Sequence, residues 1–478
     1  MAHMASLATL NPDAWLYAGA WSATWWSGLH PETVGLAMRQ RRLARLIDQA
    51  LSASPFYKKR GGGRLCDFRP TTKHELMACF DDWATDRRIT RAALESFVAD
   101  PQRAASPWLG RYLVWTSSGT SGEMGYFIQD ATSMAAYDAI DSLRLRGRAP
   151  LDNLNPLWGL DQRFAFVGAT GGHFAGFVSL ERMRRATHGR PTIQVVSALE
   201  PVARIAEQLA VIDPTVLICY PSAAVLLAER QLSGTLGLDL TEVWLGGEQF
   251  TPGQRALIQA AFQCPVRNNY GASEFFSIAS ECRFGNLHVN EDWVILEPVD
   301  ANLQPLSGDG FSASVLLTNL ANLVQPLLRY QLTDRVRFAP RPCPCGDRFR
   351  VIEVDGRSDD ILRFQDAQGG PVPVLPLALE TVIEEGAGIT HFQLLCRGSA
   401  VIEVRFDAEL PDAPAAYERL RAVLLAYLRQ HRVAGLRTRF SRAAPQREQR
   451  SGKLRRIVAV QARSQGRGEV SGSSPASA

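Results

Sequence analysis

The chain has little net charge for its length: 52 Lys and Arg stand against 48 Asp and Glu, a formal balance of +4 over 478 residues. A protein that wraps nucleic acid needs a broad basic footprint, and no basic stretch here is interleaved with aromatics, so no nucleic-acid partner is expected. Also missing is an apolar run of the ~20 residues that a spanning helix needs. The nearest, Ala14–Leu29, is uncharged and carries Trp15, Trp21, Trp25 and Trp26. It reads as an N-terminal segment packed on the body, in preference to an interfacial anchor, and no stable membrane insertion is expected. There is no basic start followed by an apolar run and a small-residue cleavage site. Eight cysteines in a chain this long do not form a disulfide framework. These absences point to a cytoplasmic protein. The length is too great for one core and predicts two or more domains.

What the chain does have is a loop built from glycines and hydroxyls. A β-like run, Arg111–Trp115, leads into Thr116, Ser117, Ser118, Gly119, Thr120, Ser121, Gly122, Glu123, Met124 and Gly125, and Tyr126–Ile128 leads out. Glycine lets the main chain take φ > 0 and come close to a ligand. Consecutive free N–H groups in such a turn make an anion nest, and the hydroxyls add donors. A polyphosphate is the natural guest. A Walker loop would need Gly-x4-Gly-Lys-Ser/Thr opening a helix. Here Gly119 and Gly122 are three apart, no lysine follows, and strand-like sequence comes next.

Further along lie Leu245-Gly-Gly-Glu-Gln249, Asn269-Tyr-Gly-Ala-Ser-Glu274, Tyr330-Gln-Leu-Thr-Asp334, Gly356-Arg-Ser-Asp-Asp360 and Ser451-Gly-Lys-Leu-Arg455. Taken in order with the loop, they resemble the motif series of the adenylate-forming enzymes. Phe68-Arg-Pro-Thr-Thr-Lys-His-Glu-Leu76 and Glu281-Cys282 with Leu287-His-Val-Asn-Glu291 resemble the phenylacetate-CoA ligase branch. The resemblance runs from about Leu36 to Val458. It implies an α/β fold: a large N-terminal adenylate-forming domain of layered sheets and helices, expected over residues 5–355, and a small mobile α+β C-terminal domain over 356–462. Residues 463–478, rich in Ser and Gly, are expected to form a disordered tail. Lys73 reads as a surface or capping residue.

The resemblance also implies roles. The loop would hold the β- and γ-phosphates of ATP. This chain carries Glu123 where many members have lysine, which puts the loop contacts in question. Tyr270 would lie near adenine, with Gly246, Gly247 and Glu248 letting the main chain approach it. Gly271 and Ala272 belong to the same turn, Ser273 would touch the α-phosphate and Glu274 would hold Mg²⁺. Asp334, alone a turn residue, becomes a ribose contact in register with Arg329-Tyr330. Arg357 would reach ribose or phosphate, and Asp359 would be the hinge. Lys453 matches the lysine that stabilises charge during adenylation. The implied activity joins a small aryl carboxylic acid to AMP and passes it to a phosphopantetheine thiol of CoA or an acyl carrier protein. A nucleotide-binding module without catalysis is the competing class, favoured by Glu123 and opposed by Glu274 and Lys453.

Other signals are less tied to that series. His173, Phe174, Tyr220 and Ala272 are candidates for the acid pocket, since aromatic walls suit an aromatic ring; His173 is a candidate partner for the carboxylate. Cys282, His288, Cys343 and Cys345 have ligand types that suit a closed structural Zn²⁺ site. Cys66, Cys79, Cys219, Cys264 and Cys396 read as core residues. From Arg432 to Arg467 there are eleven Lys/Arg and one Glu. This run suits the phosphates of CoA or an acidic carrier protein. A homodimer is compatible with the sequence, which does not specify the assembly.

Overall fold

The structure is a computed structural model and describes residues 12–117, 124–145, 162–186, 192–248, 250–306, 308–355, 362–374, 376–389, 392–406, 412–441, 443–446 and 456–460. The loop residues 118–123, Arg357, Asp359, Lys453 and the tail 463–478 lie outside these.

The uncharged tryptophan stretch is a helix, Pro12–Leu29. It packs on the helix Ala131–Ile140 and is pinned by Trp293 Nε1 donating to Thr24 Oγ1 at 2.8 Å. Trp15 and Trp26 stay 65% and 51% exposed. No helix among the described residues is long and apolar enough to cross a membrane. The next helix opens with a π-turn, Pro31–Gly35, and continues as Leu36–Ala53. Pro31 occupies the first turn, where its missing N–H costs nothing.

Strands β1 (Leu113–Ser117) and β2 (Gly125–Gln129) pair antiparallel on either side of the glycine-hydroxyl loop. Then come β3 (Arg163–Gly168), β4 (Thr192–Ser197), β5 (Val216–Cys219), β6 (Glu242–Gly246) and β7 (Val266–Ala272), with helices between them. These five strands are parallel, in the order β4-β3-β5-β6-β7. Their apolar runs, such as Phe164–Val167 and Val243–Leu245, suit strands covered on both faces. The sheet continues antiparallel through β8 (Phe275–Glu281) and β9 (Leu287–Val289). A second sheet of three antiparallel strands holds β10 (Val294–Val299), β11 (Ser314–Asn319) and β12 (Leu327–Leu332). Strands β13 (Arg335–Phe338) and β14 (Val351–Asp355) return to the large sheet beside β9, completing nine strands.

After residue 361 the pattern changes. A ribbon of β15 (Leu362–Gln365) and β16 (Pro371–Val374) is followed by a four-stranded sheet ordered β19-β18-β17-β20. Its strands are β17 (Phe392–Arg397), β18 (Val401–Phe406), β19 (Arg437–Ser441) and β20 (Ile457–Val460). The helices Pro376–Ala387 and Ala413–Gln430 accompany it. The architecture is thus mixed α/β, with sheets and helices in layers, as the resemblance implied. Two of the cysteines expected in the core are exposed: Cys66 sits in the short turn Leu65–Asp67 and Cys79 follows the end of the helix Lys73–Ala78. Cys219, Cys264 and Cys396 are buried.

One buried phenol ties the N-terminal helices to the three-stranded sheet. Tyr57 Oη donates to the Pro326 carbonyl at 3.0 Å and accepts from the Leu328 N–H at 3.2 Å. Trp83 Nε1 donates to the same carbonyl at 2.7 Å. Tyr57→Phe leaves a buried N–H unsatisfied and should cost about 1–3 kcal/mol of stability, read as a lowered denaturation midpoint.

Candidate active site

The carboxyl ends of parallel strands leave main-chain groups and loop residues facing one crevice, where ligands bind in open α/β sheets. Most of the sequence-predicted residues stand there. Gly168 ends β3 and leads to His173 and Phe174, Tyr220 follows β5, Gly246 ends β6 and leads to Gly247 and Glu248, and Tyr270 to Glu274 span the end of β7 and the turn into β8. A cavity of about 1310 Å³ opens over these ends, lined among others by Lys73, Ser117, Gly247, Glu248, Tyr270, Gly271, Ala272, Ser273, Glu274, Tyr330 and Asp334.

Two hydrogen bonds close the seam between the large sheet and β12. Tyr270 Oη donates to Asp334 Oδ2 at 3.0 Å, and Tyr330 Oη donates to Glu274 Oε1 at 2.8 Å. Asp334 follows β12 by two residues, so Tyr330 and Asp334 bracket that strand's end. Burial pushes the Tyr270 phenol well up, and the Asp334 carboxylate adds to the shift. Burial likewise raises the Glu274 carboxyl, against the opposing Tyr330 hydroxyl and Lys73 charge. A buried carboxylate that resists ionisation is a site that favours a cation, and the donor type fits Mg²⁺.

Lys73 is the residue that the sequence reading missed. It opens the helix Lys73–Ala78, where Thr72 accepts from the Glu75 N–H as the cap. Its side chain turns inward instead of to the surface: Nζ lies 3.2 Å from Ser117 Oγ and 3.5 Å from the Ser117 carbonyl. A Cβ at Gly125 would come within 2.7 Å of Lys73 Cε, so glycine there leaves the lysine its path. A signal was present. The chain holds only four lysines, Lys58, Lys59, Lys73 and Lys453, among 52 basic residues. Lys58 and Lys59 are adjacent on an exposed turn. The remaining pair are Lys73 and Lys453.

Of the acid-pocket candidates Ala272 lines the cavity, while Phe174 and Tyr220 are not among its lining residues. The Tyr220 ring lies under Gly247, whose added Cβ would meet it at 3.0 Å, and Tyr220 Oη accepts from the Ala169 N–H at 3.2 Å. Phe174 packs against Gly172, while Phe166 fills the space beside Gly168 and Gly176. His173 is not brought to the cavity. It is 2% exposed, with its ring 5.2 Å from that of Phe97. Burial lowers its pKa, favouring a neutral ring. Its carbonyl accepts from the Thr116 N–H at 2.8 Å, so its contact with the loop is through the main chain. Glu248 also has a structural partner: it accepts from Ser222 N–H and Ser222 Oγ–H, both at 2.9 Å, at the start of the helix Pro221–Leu232.

Cys282, His288, Cys343 and Cys345 do converge, with ligand atoms all within 4.8 Å of one another. Cys282 Sγ is 3.7 Å from Cys343 Sγ, and Cys345 Sγ is 3.3 Å from His288 Nε2. Tetrahedral Zn–S bonds of about 2.3 Å place two sulfurs about 3.8 Å apart. His288 Nδ1 is 2.8 Å from the Phe349 carbonyl, a partner that turns Nε2 toward the thiols. Asn286 Nδ2 donates to Cys343 Sγ at 3.1 Å and the Asp347 N–H donates to Cys345 Sγ at 3.3 Å.

No protein-family model matches the chain. Protein CapK of Staphylococcus aureus is 27% identical over 161 residues, which are 32% of this chain and 34% of CapK. The match therefore spans about a third of that curated relative. Among solved structures, 2-hydroxyisobutyryl-CoA ligase in complex with 2-HIB-AMP and CoA, in its thioesterification state, is 19% identical, covers 89% of each chain and gives a TM-score of 0.52. The same ligase in its postadenylation state, with R3-HIB-AMP, is 18% identical over 89% of this chain and 90% of its own, with a TM-score of 0.51. At these identities the likeness shows the fold alone.

The raised Glu274 carboxyl gives a prediction of definite sign. A carboxyl with an elevated folded pKa contributes stability that is full below the ordinary carboxylate range and is lost as pH rises through the folded value. Glu274→Gln should remove that loss. In the absence of ligand the variant should gain on wild type as pH rises from the carboxylate range toward neutrality. Urea midpoints measured across pH check this; a constant gap between the two proteins would contradict it.

Proposed function

We propose that the protein is an AMP-forming acid–thiol ligase. Using ATP and Mg²⁺, it activates an aryl carboxylic acid of hydroxybenzoate, benzoate or phenylacetate type and passes the acyl group to a phosphopantetheine thiol of CoA or an acyl carrier protein. The observation that carries the reading is the convergence of Lys73, Ser117, Ser273, Glu274, Tyr270 and Asp334 on one cavity at the carboxyl ends of the sheet. The solved ligase of the same fold holds an acyl-AMP and CoA. The aryl preference rests on the sequence resemblance, since Phe166, Phe174 and Tyr220 pack beside Gly172, Gly176 and Gly247 and are not among the residues lining the cavity.

In the first step a carboxylate oxygen attacks the α-phosphorus and the bond to the bridging oxygen breaks, releasing pyrophosphate. Two anions must approach, so cationic and N–H donors lower the barrier most. Lys73 supplies positive charge at the mouth of the glycine-hydroxyl loop. Ser273 faces the α-phosphate, and the Asp334 carboxylate, held by Tyr270, accepts from the ribose. Glu274 would hold Mg²⁺, which when bound would offset phosphate charge. In the second step the thiolate attacks the acyl carbon and AMP leaves. Residues 356–462 form the mobile lobe in this reading, with Asp359 as hinge and with Arg357 and Lys453 carried to the nucleotide. Among the described residues, polar contacts between the lobe and the body include Arg363 to Glu229 at 2.8 Å and His431 Nε2 donating to the Leu199 carbonyl at 3.0 Å.

Lys453→Ala should abolish pyrophosphate release while leaving thioester formation from a supplied acyl-adenylate nearly intact. Lys73→Ala should slow pyrophosphate release by about 10²-fold, the scale of one lost charge-stabilising donor. Equal losses in both half-reactions for Lys453→Ala would count against the assignment. The acid is identified by assaying benzoates, phenylacetates and fatty acids side by side.

The four-ligand cluster fits a structural zinc, because three thiols and one imidazole leave no open position for a substrate. Protein purified without chelator should contain one zinc per chain. Cys343→Ser should lose the metal and lower the melting temperature. Wild-type protein free of zinc would remove this part of the reading.

A further inference from the structure

The four-stranded sheet buries one face and leaves part of the other open. Phe392, Leu394 and Cys396 of β17, with Ile402, Val404 and Phe406 of β18, lie in the core with the helix Ala413–Gln430. Phe440 of β19 stacks between Phe406 and Tyr417 on that side. The alternate residues point the other way, because side chains along a strand alternate between faces. In cross-strand register, Arg397, Val401 and Arg437 form one row, and Leu395, Glu403 and Arg439 form the next. A third row holds Gln393, Arg405 and Ser441.

Of these, Gln393, Leu395 and Glu403 are buried and Arg405 nearly so, and the open part of the face carries Arg397, Arg437 and Arg439. Glu403 is already committed, to Arg397 at 3.0 Å and Arg405 at 2.7 Å. Arg437 and Arg439 are exposed on the edge strand and have no acidic partner among the described residues. They stand two residues apart, about 6.6 Å along the strand, and Arg397 lies two strands away, about 10 Å across. At the opposite edge, Arg456 precedes β20 and lines the large cavity. Arg437 and Arg439 are three interstrand spacings, about 14 Å, across the sheet from β20, and Arg456 lies four and two residues further back along the strands, so their separation from the cavity wall exceeds that figure.

We infer that this face docks an acidic helix of a protein that delivers the acceptor thiol on an extended phosphopantetheine arm. The inference rests on the ligase reading and narrows its acceptor from two classes to one. Carboxylates at i and i+4 on a helix are about 6 Å apart along its axis, close to the spacing of Arg437 and Arg439. A site for the phosphates of CoA would gather its donors around one point, with main-chain N–H groups among them. Here the guanidinium groups fan out along an exposed row. The separation from the cavity leaves a docked body outside, with only a narrow arm able to enter.

The test is the double variant Arg437→Glu/Arg439→Glu. Both side chains are exposed and away from the cavity, so folding and acceptor-free pyrophosphate release should match wild type. With a panel of holo-acyl carrier proteins, the KM for the best carrier should rise tenfold or more, while the KM for CoA stays unchanged. Added salt should weaken carrier use by wild type and have little further effect on the variant. Equal use of every carrier by both proteins, or an equal loss with CoA, would overturn the inference. Pyrophosphate release by wild type tests the ligase reading separately. If it is absent, direct titration of the carriers against both proteins still decides the docking face: tighter binding by wild type supports it, and identical binding rejects it.

Discussion

At the end of β7 there is no room for a side chain. A Cβ on Gly271 would stand 1.9 Å from the Phe276 carbonyl oxygen, well inside any contact a real Cβ makes. The register between β7 and β8 shifts at this point, between Tyr270 and Ala272. The glycine lets the two strands close tightly, and that closeness aims Tyr270 on one side and Glu274 on the other at the end of β12. Without it, the phenol would not meet Asp334 and the carboxylate would not meet Tyr330. The site is a seam between two sheets, fixed by one missing methyl position and two hydrogen bonds to acids.

The seam is also where the molecule accepts unfavourable burial. Glu274 sits in the interior without a salt bridge among the described contacts, and burial pushes its carboxyl up. Natural folds tolerate such strain at functional positions. A second buried carboxylate, Asp292, is handled differently. Asp292, wholly buried, takes two bonds from Arg144 at 2.8 and 2.9 Å and a third basic contact from Arg42. The contrast is between a carboxylate held by two arginines and one held by a single phenol.

Much of this arrangement was legible in the sequence. The apolar runs Ala165–Gly168, Thr192–Val196, Val216–Tyr220 and Val243–Leu245 read as strands and fall on β3 to β6, and the glycine-hydroxyl stretch falls between two paired strands as expected. The four metal-type ligands converge although up to 63 residues separate them, because β9 pairs with β14 and brings the knuckle at Cys343 and Cys345 beside His288. Lys73 was not legible from local pattern, since a polar residue at the start of a helix is ordinarily a cap. Its inward turn is set by the bare Gly125 on a separate strand. His173 failed for the opposite reason: its place after two glycines suggests a loop tip, but the chain folds back to pair with Thr116 and buries the ring against Phe97. Tertiary contacts of this kind leave no trace in local spacing.

Thr71, two residues before Lys73, bridges Tyr330 in a parallel sense: its N–H donates to the Arg329 carbonyl at 3.1 Å and its carbonyl accepts from the Gln331 N–H at 2.8 Å. The N-terminal region is therefore stitched into the same strand that carries the partner of Glu274. A fragment beginning after Lys73 would keep every strand named above and still lose a cation from the cavity wall. The opening segment is thus part of the cavity's own lining.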